Sequence, residues 1–382
     1  MWHTAIPWRS FKQLRRFQDD VLGRYVMSII RLDIHHVRPI SSARLMLHPR
    51  CNVFYGSNGS GKTSLLEAVY LLGSGHSFRT RDLGALVSQG QESLTVFARM
   101  DTDDVMSIQK SKEGTFVRLN QRPCSRRSEL AAFLPCQVFY QDIFEIIDAG
   151  PSVRRSLLDW GLFHVKHEYH LLWKDYRRVI KQRNTLLRQK ASYALCAPWD
   201  KQLVDLSEAL DVLRKAYCAE WFGVFETMLH ALTTLPCTLH YEKGWDKKRT
   251  GKGLAAILVE QFEMDSLRQY THSGAHQADI LFDSVQLKAK QSLSRGQQKI
   301  LLIALKLAQA QLLAVPCVYL FDDITSELDA VHVERFFGLL AQVKGQFIFT
   351  AIDPSLFYSM LDVNTTSFFL IDQGQFMSAL RE

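Results

Sequence analysis

The chain has 382 residues, of which 47% are hydrophobic and 22% charged, and this balance excludes a disordered or fibrous protein. Forty-six basic and 39 acidic residues give a formal net charge of +7, which moderately favours anionic partners such as nucleic acid. The seven cysteines show no C-x-x-C spacing, no apolar run reaches membrane-spanning length and no secretory signal is present, so we expect a cytoplasmic protein without a membrane partner.

Residues 1–26 are rich in tryptophan and arginine and have no clear period. They could form a short extra helix or a flexible tail, or they could be upstream sequence before a true start at Met27, the interpretation we favour. Beyond Met27 the pattern becomes that of β-strands. Short strands are predicted at 29–34, 45–47 and 51–55, and alternating segments typical of an antiparallel sheet at 94–98 and 115–119.

A glycine-rich segment follows the third of these strands and fits the P-loop pattern. Its residues are Gly56, Ser57, Asn58, Gly59, Ser60, Gly61, Lys62 and Thr63. Such a loop aims consecutive backbone N–H groups at phosphates, its lysine reaches the β- and γ-phosphates, and its threonine hydroxyl can bind Mg²⁺. A Gly/Ser-rich surface turn is the alternative, but an apolar strand before the loop and a helix-forming run after it favour an ATP site.

The segment from about 151 to 232 has helical periodicity and many basic residues. Between Lys166 and Lys190 there are eight lysines and arginines but only two acids, a density that favours a phosphate-contacting surface. A solvated helix face is the alternative for any one of these residues. Pro198 is predicted to break the segment into two antiparallel helices. Candidate DNA contacts are Arg154, Arg177, Arg178, Lys181 and Arg183, although Arg154 could instead support the fold.

A second half of the nucleotide site is predicted near the carboxyl terminus. The apolar run 318–321 ends in Asp322 and Asp323, the Walker B pattern of a buried strand with acids at the mouth of the sheet. Asp322 is placed to hold Mg²⁺, and Asp323 to position an attacking water. A pair of aspartates can also merely cap a turn, but it rarely does so in a chain that has a P-loop.

Further motifs resemble those of ABC-type ATPases. Ser294, Arg295, Gly296 and Gln297 open a predicted helix, with Ser294 as its N-cap, and resemble the ABC signature, although Arg295 replaces a glycine and any helix could begin this way. The segment 326–329 resembles the D-loop, the run 347–350 the strand that reaches the switch position, and Gln137 occupies the place of a Q-loop glutamine. More than half of the chain separates Lys62 from Ser294, which suggests an SMC-like head with a short arm.

Within this class of ATPases, the sequence from Met27 onward resembles the RecF family of bacterial recombination mediators. The resemblance is carried by the P-loop and by the segments 64–68, 73–79, 150–161, 176–184, 274–279, 293–297 and 322–329. It implies an α/β fold: an ABC-type ATPase head, with a mixed P-loop sheet and an antiparallel β subdomain, and an inserted helical arm. The expected boundaries are 27–150 for the first half of the head, 151–268 for the arm and 269–382 for the second half.

The resemblance also implies a function. RecF-like proteins bind ATP with Mg²⁺, close into a homodimer on duplex DNA near single-strand gaps, and act with RecO and RecR to help load RecA. Their ATP hydrolysis is slow and stimulated by DNA, and they are neither helicases nor nucleases. The family's Phe-Arg-Asn, Gly-Pro-His and Pro-Glu motifs are altered here, at 37–39, 274–276 and 140–142.

The mechanism expected from these motifs is shared between two copies of the chain. One copy supplies the P-loop, Asp322 and Gln137, and its partner supplies Ser294 and Gly296 at the γ-phosphate. Asp323 is one methylene shorter than the usual glutamate, which predicts slow turnover. Two alternatives stay open: an ABC transporter-type ATPase subunit, and a DNA scaffold in which ATP is only a structural ligand.

Overall fold

The structure is a computed structural model that describes residues 28–80, 82–124, 126–140, 144–284, 287–288 and 293–378. The interpretation of residues 1–26 therefore lies outside the described residues. The chain forms two compact units, one containing residues up to 141 and from 313 onward, and the other containing residues 142–312. In the described ranges, no helix is both long enough and apolar enough to cross a membrane.

The strands are β1 Ile29–Val37, β2 Ile40–Met46, β3 Cys51–Tyr55, β4 Ser93–Met100, β5 Val105–Ser111, β6 Gly114–Leu119, β7 Arg122–Pro123, β8 Cys136–Phe139, β9 Thr238–Glu242, β10 Asp279–Ser284, β11 Leu287–Lys288, β12 Cys317–Asp322, β13 Gly345–Ala351, β14 Thr366–Asp372 and β15 Gln375–Ser378. The helices are α1 Lys62–Ser74, α2 Arg127–Phe133, α3 Glu145–Asp148, α4 Pro151–Val165, α5 His167–Arg188, α6 Tyr193–Leu232, α7 Leu254–Glu260, α8 Phe262–Arg268, α9 Arg295–Gln311, α10 Ala330–Gln342 and α11 Ser355–Met360.

The first unit is built on a mixed sheet with the described strand order β15-β14-β3-β13-β12-β8. All neighbours pair in parallel except β15, which is antiparallel to β14. The central strands read as nearly continuous apolar runs because both faces of a parallel sheet are covered. Parallel pairing brings the carboxyl ends of β3, β12 and β13 to one edge of the sheet. The P-loop follows β3, and the two Walker B aspartates lie at the end of β12 and directly after it.

A second sheet of the first unit has the order β2-β1-β4-β5-β6-β7 and is antiparallel. Its inner face carries alternating buried residues such as Leu32, Ile34 and Val96, which join one apolar core with Leu65 and Val69 of α1. The antiparallel strands predicted at 94–98 and 115–119 are confirmed as parts of β4 and β6.

The second unit is mainly helical, with a small sheet of order β11-β10-β9. Helices α5 and α6 pack together after a short connection at 189–192, and α6 also packs against α9. The indole Nε1–H of Trp221 in α6 donates to the Leu305 carbonyl of α9 at 2.9 Å. The predicted break at Pro198 was wrong, because the chain turns before Tyr193 and Pro198 lies in the second turn of α6. Near the start of a helix, proline removes few intrahelical hydrogen bonds.

The division of the chain also differs from the predicted boundaries. Residues 269–312 were expected in the second half of the head, but they belong to the mainly helical unit. The Arg154 guanidinium binds Asp279 of β10 at 2.7 Å, and the Gln309 side chain of α9 donates to the Leu157 carbonyl at 2.8 Å. These bonds and the α6–α9 packing tie residues 269–312 to α4 and α6, which is the physical reason for the correction.

Candidate functional site

The P-loop has the backbone geometry that its sequence predicts. Gly59 and Gly61 have positive φ angles of 79° and 113°, a region that favours glycine, and α1 begins immediately afterwards at Lys62. Gly56 is required for a different reason, because a Cβ atom there would lie 2.1 Å from the carbonyl oxygen of Ile371. The Gly374 N–H also donates to the Ser60 carbonyl at 2.8 Å, so the loop is fixed against the turn between β14 and β15.

Lys62 points back across the loop that precedes it. Its ammonium donates to the carbonyls of Gly56 and Ser57 at 2.7 and 2.8 Å. Partial burial lowers the Lys62 pKa, an effect that the negative charges of Asp322 and Asp323 oppose. A lysine that is partly removed from water beside a concave loop is suited to contact a phosphate group.

The Thr63 hydroxyl and the Asp322 carboxylate lie together at the carboxyl edge of the parallel sheet. Thr63 Oγ1 donates to Asp322 Oδ2 at 2.9 Å, which joins the start of α1 to the end of β12. Hydroxyl and carboxylate oxygens are the kind of ligand atom that Mg²⁺ prefers. The buried Ser60 hydroxyl, for which the described structure provides no hydrogen-bond partner, leaves a further polar atom inside the loop. These residues fit ATP with Mg²⁺.

Thr350, at the end of β13, holds the two Walker B aspartates in place. Its Oγ1 donates to Asp322 Oδ1 at 2.7 Å and accepts the Asp323 backbone N–H at 3.0 Å. Asp323 itself has the left-handed backbone angles φ 48° and ψ 44°. The sequence predicted the strand at 347–350 but not the role of Thr350 in holding the two aspartates. The available signal was a polar residue after three apolar ones.

Glu67 is a second site residue whose role the sequence did not reveal. It is fully buried in α1, and its carboxylate lies 2.6 Å from the Arg38 guanidinium. The Ser77 hydroxyl donates to the same carboxylate. One buried acid thus fixes the first helix to the turn between β1 and β2 and to the segment after α1. A glutamate within an apolar helix was the available signal.

Gln137 does not occupy the predicted place. It lies in the buried part of β8, opposite Tyr319 of β12, and Asp322 is three residues further along that strand. At about 3.3 Å per residue, this puts Gln137 roughly 10 Å back from the level of Asp322. The assignment of Gln137 to a Q-loop role at the nucleotide is therefore corrected.

The signature-like segment lies in the second unit. Ser294 is the N-cap of α9, as predicted, since its hydroxyl accepts the Gln297 N–H and the Gln297 side chain accepts the Ser294 N–H at 2.9 Å. Arg295, which replaces the usual glycine, binds Asp148 at 3.0 Å and lies over the Phe144 ring. Gly296 occupies the next position of the helix. The arginine is therefore held within its own unit.

The five candidate DNA contacts differ in exposure. Arg177, Arg178 and Lys181 are exposed on α5, where Arg178 is 3.4 Å from Asp175. Arg154 is largely buried in its bond with Asp279, which agrees with the alternative of a structural role. Arg183 is fully buried and donates to Asp200, Asp265 and Thr271, so its assignment as a DNA contact was wrong.

A family model described as the RecF/RecN/SMC N terminal domain matches residues 28–374. The DNA replication and repair protein RecF of Cellvibrio japonicus (strain Ueda107) is 38% identical over 338 residues, which cover 86% of this chain and 92% of that protein. The protein of the same name from Shewanella amazonensis is 37% identical over 358 residues, 91% of this chain and 99% of the relative.

Solved structures show the same fold. A structure of the recombination mediator protein RecF with ATP in the RecFOR pathway superposes with a TM-score of 0.81 at 22% identity, covering 93% of this chain and 100% of the other. An Smc head bound to the C-winged helix domain of ScpA gives 0.57 at 16% identity, over 92% and 97%. The predicted fold class, an ABC-type ATPase head with an inserted helical domain, is confirmed.

Proposed function

This chain belongs to the RecF family of DNA replication and repair proteins, and we propose that it is an ATP-dependent DNA-binding protein of recombinational repair and replication-fork rescue. Membership of this family contradicts the alternative of a transporter subunit. The observation that supports the ATP-dependent part of the proposal best is the joined site at the sheet edge, where Thr63 binds Asp322 and Lys62 lies against the P-loop carbonyls.

ATP would be held by the backbone of residues 56–63 and by the Lys62 ammonium. Mg²⁺ would be held by the Thr63 hydroxyl and Asp322, whose carboxylate Thr350 orients. When bound, the nucleotide supplies a charged γ-phosphate that two protein copies can contact. Lys62 must then exchange its two carbonyl partners for phosphate oxygens, an exchange that its reduced solvation favours.

The proposed switch is a homodimer that requires ATP. Ser294 and Gly296 of the partner copy would contact the γ-phosphate through the hydroxyl and the backbone at the start of α9. The positive end of this 17-residue helix favours a negative charge at that position. Hydrolysis would remove the contact and reopen the dimer.

Slow hydrolysis is a further part of the proposal. The Asp323 side chain is one methylene shorter than the glutamate that is usual at this position. Its backbone is fixed in the left-handed region by the hydrogen bond to Thr350. A short carboxylate on a rigid backbone holds an attacking water less closely. This geometry supports weak ATPase activity, and the family resemblance supports the further proposal that DNA stimulates it and that the enzyme has no helicase or nuclease activity.

DNA would be contacted by the exposed basic face of α5. Lys174, Arg177, Arg178 and Lys181 recur at the three- and four-residue spacing that places them on one side of the helix, and all four are exposed. Their long cationic side chains are suited to phosphate contacts, which are independent of base sequence, so we propose binding to duplex DNA beside single-strand gaps with little sequence preference.

The proposed partners are RecO and RecR, through which the protein would promote RecA loading on gapped DNA. The pathway named for the related ATP-bound structure supports these partners. We place the protein in the cytoplasm, where its seven buried cysteine thiols would stay reduced.

An ATPase assay with and without gapped duplex tests this function. We expect slow hydrolysis that rises several-fold when gapped duplex is added, because DNA favours the dimer. Lys62→Ala should abolish both rates, and Arg268→Ala, an exposed substitution outside the site, serves as the control. Single-turnover measurements that detect ATP binding but no hydrolysis would contradict the switch and favour the scaffold alternative.

A further inference from the structure

The second unit carries a strongly basic loop that the proposed function leaves unused. Residues 247–253, with the sequence Lys-Lys-Arg-Thr-Gly-Lys-Gly, are exposed one after another. Trp245 and Leu254 are 5% and 0% exposed and anchor the two ends. We refer to residues 246–253 as the basic loop. The cations of the basic loop therefore face solvent, while the buried residues at its two ends hold the loop in place.

Asp246 gives the basic loop its shape. Its carboxylate accepts the Thr250 N–H at 2.8 Å, the Thr250 hydroxyl at 2.7 Å and the Gly251 N–H at 2.9 Å. Its carbonyl accepts the Arg249 N–H at 2.9 Å. The hydrogen bonds from Thr250 also lower the Asp246 pKa, so the carboxylate stays ionised. The acid within the loop is thus used internally, and the loop is preorganised for a partner.

Two of the four cations of the basic loop have an acid within ion-pair distance. Lys247 is 3.8 Å from Glu242, and Lys252 binds Glu260 at 2.7 Å. No acid in the described part of the chain forms an ion pair with Lys248 or Arg249. Two adjacent positive charges at the tip of an ordered loop attract an external anion.

The composition of the basic loop distinguishes between two kinds of partner. Protein interfaces concentrate their binding energy in aromatic and aliphatic side chains and are depleted in lysine. The exposed run contains no aromatic or aliphatic side chain. Lysine and arginine side chains, which dominate the run, are instead donors that contact phosphates in nucleic-acid complexes. A phosphate backbone therefore fits the loop better than an acidic protein does.

We propose that the basic loop is a second duplex-DNA contact, which binds the phosphate backbone through Lys247, Lys248 and Arg249. This inference rests on the proposed function and adds a separate surface to it. The base of the loop is linked to α5, because the Gly274 N–H donates to the Gly244 carbonyl at 3.0 Å and the His276 ring bonds the Tyr176 hydroxyl of α5 at 2.6 Å. The loop and the exposed face of α5 belong to the same compact unit.

The test is fluorescence anisotropy of a labelled gapped duplex, with the full chain and Mg-ATP, over a series of potassium chloride concentrations. The loop variant replaces Lys247, Lys248 and Arg249 by glutamine. A control variant removes the same charge from exposed positions elsewhere, with Lys201, Arg268 and Lys344 replaced by glutamine. An α5 variant, with Arg177, Arg178 and Lys181 replaced by glutamine, tests the first contact surface.

We expect the loop variant to bind roughly ten- to a hundredfold more weakly at about 0.1 M salt, with the salt slope reduced by about two to three, since each lost phosphate contact contributes about 0.9. Wild-type affinity and slope in the loop variant would overturn the proposal and leave the loop to another partner. An equal loss in the control variant would overturn it too, because only net charge would then matter. If the wild type binds no duplex, the proposed function fails first and this inference fails with it.

Discussion

At the scale of single residues, the site depends on how Asp322 and Asp323 are held. Asp322 accepts hydrogen bonds from Thr63 on one side and from Thr350 on the other, at 2.9 and 2.7 Å. The Thr350 hydroxyl also accepts the Asp323 N–H. One hydroxyl group therefore sets the direction of the proposed metal ligand and the backbone of the proposed water-positioning residue.

Replacing Thr350 with valine keeps the volume of the side chain and removes this hydroxyl. Loss of a group that orients a metal ligand typically changes metal affinity or activity by about 10- to 100-fold, so we expect ATP hydrolysis to fall about tenfold. ATP binding, measured by equilibrium dialysis, should change less. Thr115→Val, an exposed substitution in the same unit, is the control. Unchanged hydrolysis in Thr350→Val would show that the bond to Asp322 is not needed.

Asp323→Asn tests the residue proposed to position water. The amide keeps the size of the side chain but loses the negative charge, so binding should persist while hydrolysis falls by roughly 100-fold or more. The proposed dimer should then last longer after ATP is added, which stopped-flow light scattering can follow. A turnover rate equal to that of the wild type would exclude Asp323 from this role.

Gly56 provides a test of the loop geometry. The Cβ atom of an alanine would lie 2.1 Å from the Ile371 carbonyl oxygen, a distance that requires the backbone to move. We expect Gly56→Ala to lower the free energy of unfolding by about 2 kcal/mol or more and to weaken ATP binding. Gly338→Ala is the control, because Gly338 lies in α10 without a positive φ angle and nothing lies within 4 Å of its added Cβ atom. Urea unfolding of both variants provides the measurement.

At the scale of elements, α5 has two faces with different tasks. Tyr176, Val179, Arg183 and Leu187 are buried, whereas Arg177, Arg178 and Lys181 are exposed. Arg183 belongs to the buried face by its spacing, since it lies four residues from both Val179 and Leu187. Its guanidinium donates there to Asp200, Asp265 and Thr271. Basic residues of one helix therefore divide between stability and the proposed DNA contact.

The two faces should respond differently to the same substitution. Arg183→Met would leave Asp200 and Asp265 buried without their partner, and we expect the free energy of unfolding to fall by about 3–5 kcal/mol. Arg177→Met, on the exposed face, should change it by less than about 0.5 kcal/mol but weaken duplex binding. Urea unfolding and anisotropy titrations separate the two effects. Equal stability of the two variants would contradict this division.

The sequence predicted the elements whose local pattern matches their environment. The P-loop, the Walker B strand and the N-cap at Ser294 carry their signals within a few residues. Arg183 and Gln137 were misplaced because burial depends on partners far along the chain, such as Asp265 for Arg183 and β12 for Gln137. Pro198 was misread because its effect depends on its distance from the helix start, which the sequence alone did not fix.

At the scale of the molecule, stability should depend on pH through two partly buried histidines of the second unit. Burial lowers the pKa of His164 and of His276 to about 4. The two ring nitrogens of His276 bond the Tyr176 hydroxyl and the Thr271 carbonyl, contacts that the neutral ring can make. As pH falls below the unfolded value of about 6.5, the unfolded chain binds these protons before the folded chain does.

Each histidine thus adds stability that is fully present above pH about 6.5 and is lost as pH falls towards about 4, at most about 3 kcal/mol each. We expect the free energy of urea unfolding to fall across this window. His276→Gln should reduce the slope by up to about 1.4 kcal/mol per pH unit. The exposed His230→Gln serves as the control. An unaltered slope in His276→Gln would contradict the assignment.

The central claim is that ATP joins two copies of this chain, each completing the other's site. Multi-angle light scattering of the purified protein with saturating Mg-ATP and gapped duplex measures this directly. We predict a dimer for the wild type and a monomer for Lys62→Ala under the same conditions, since the variant lacks the ammonium that would hold the phosphates. A wild-type protein that stays monomeric, or a Lys62→Ala variant that dimerises equally well, would contradict the account.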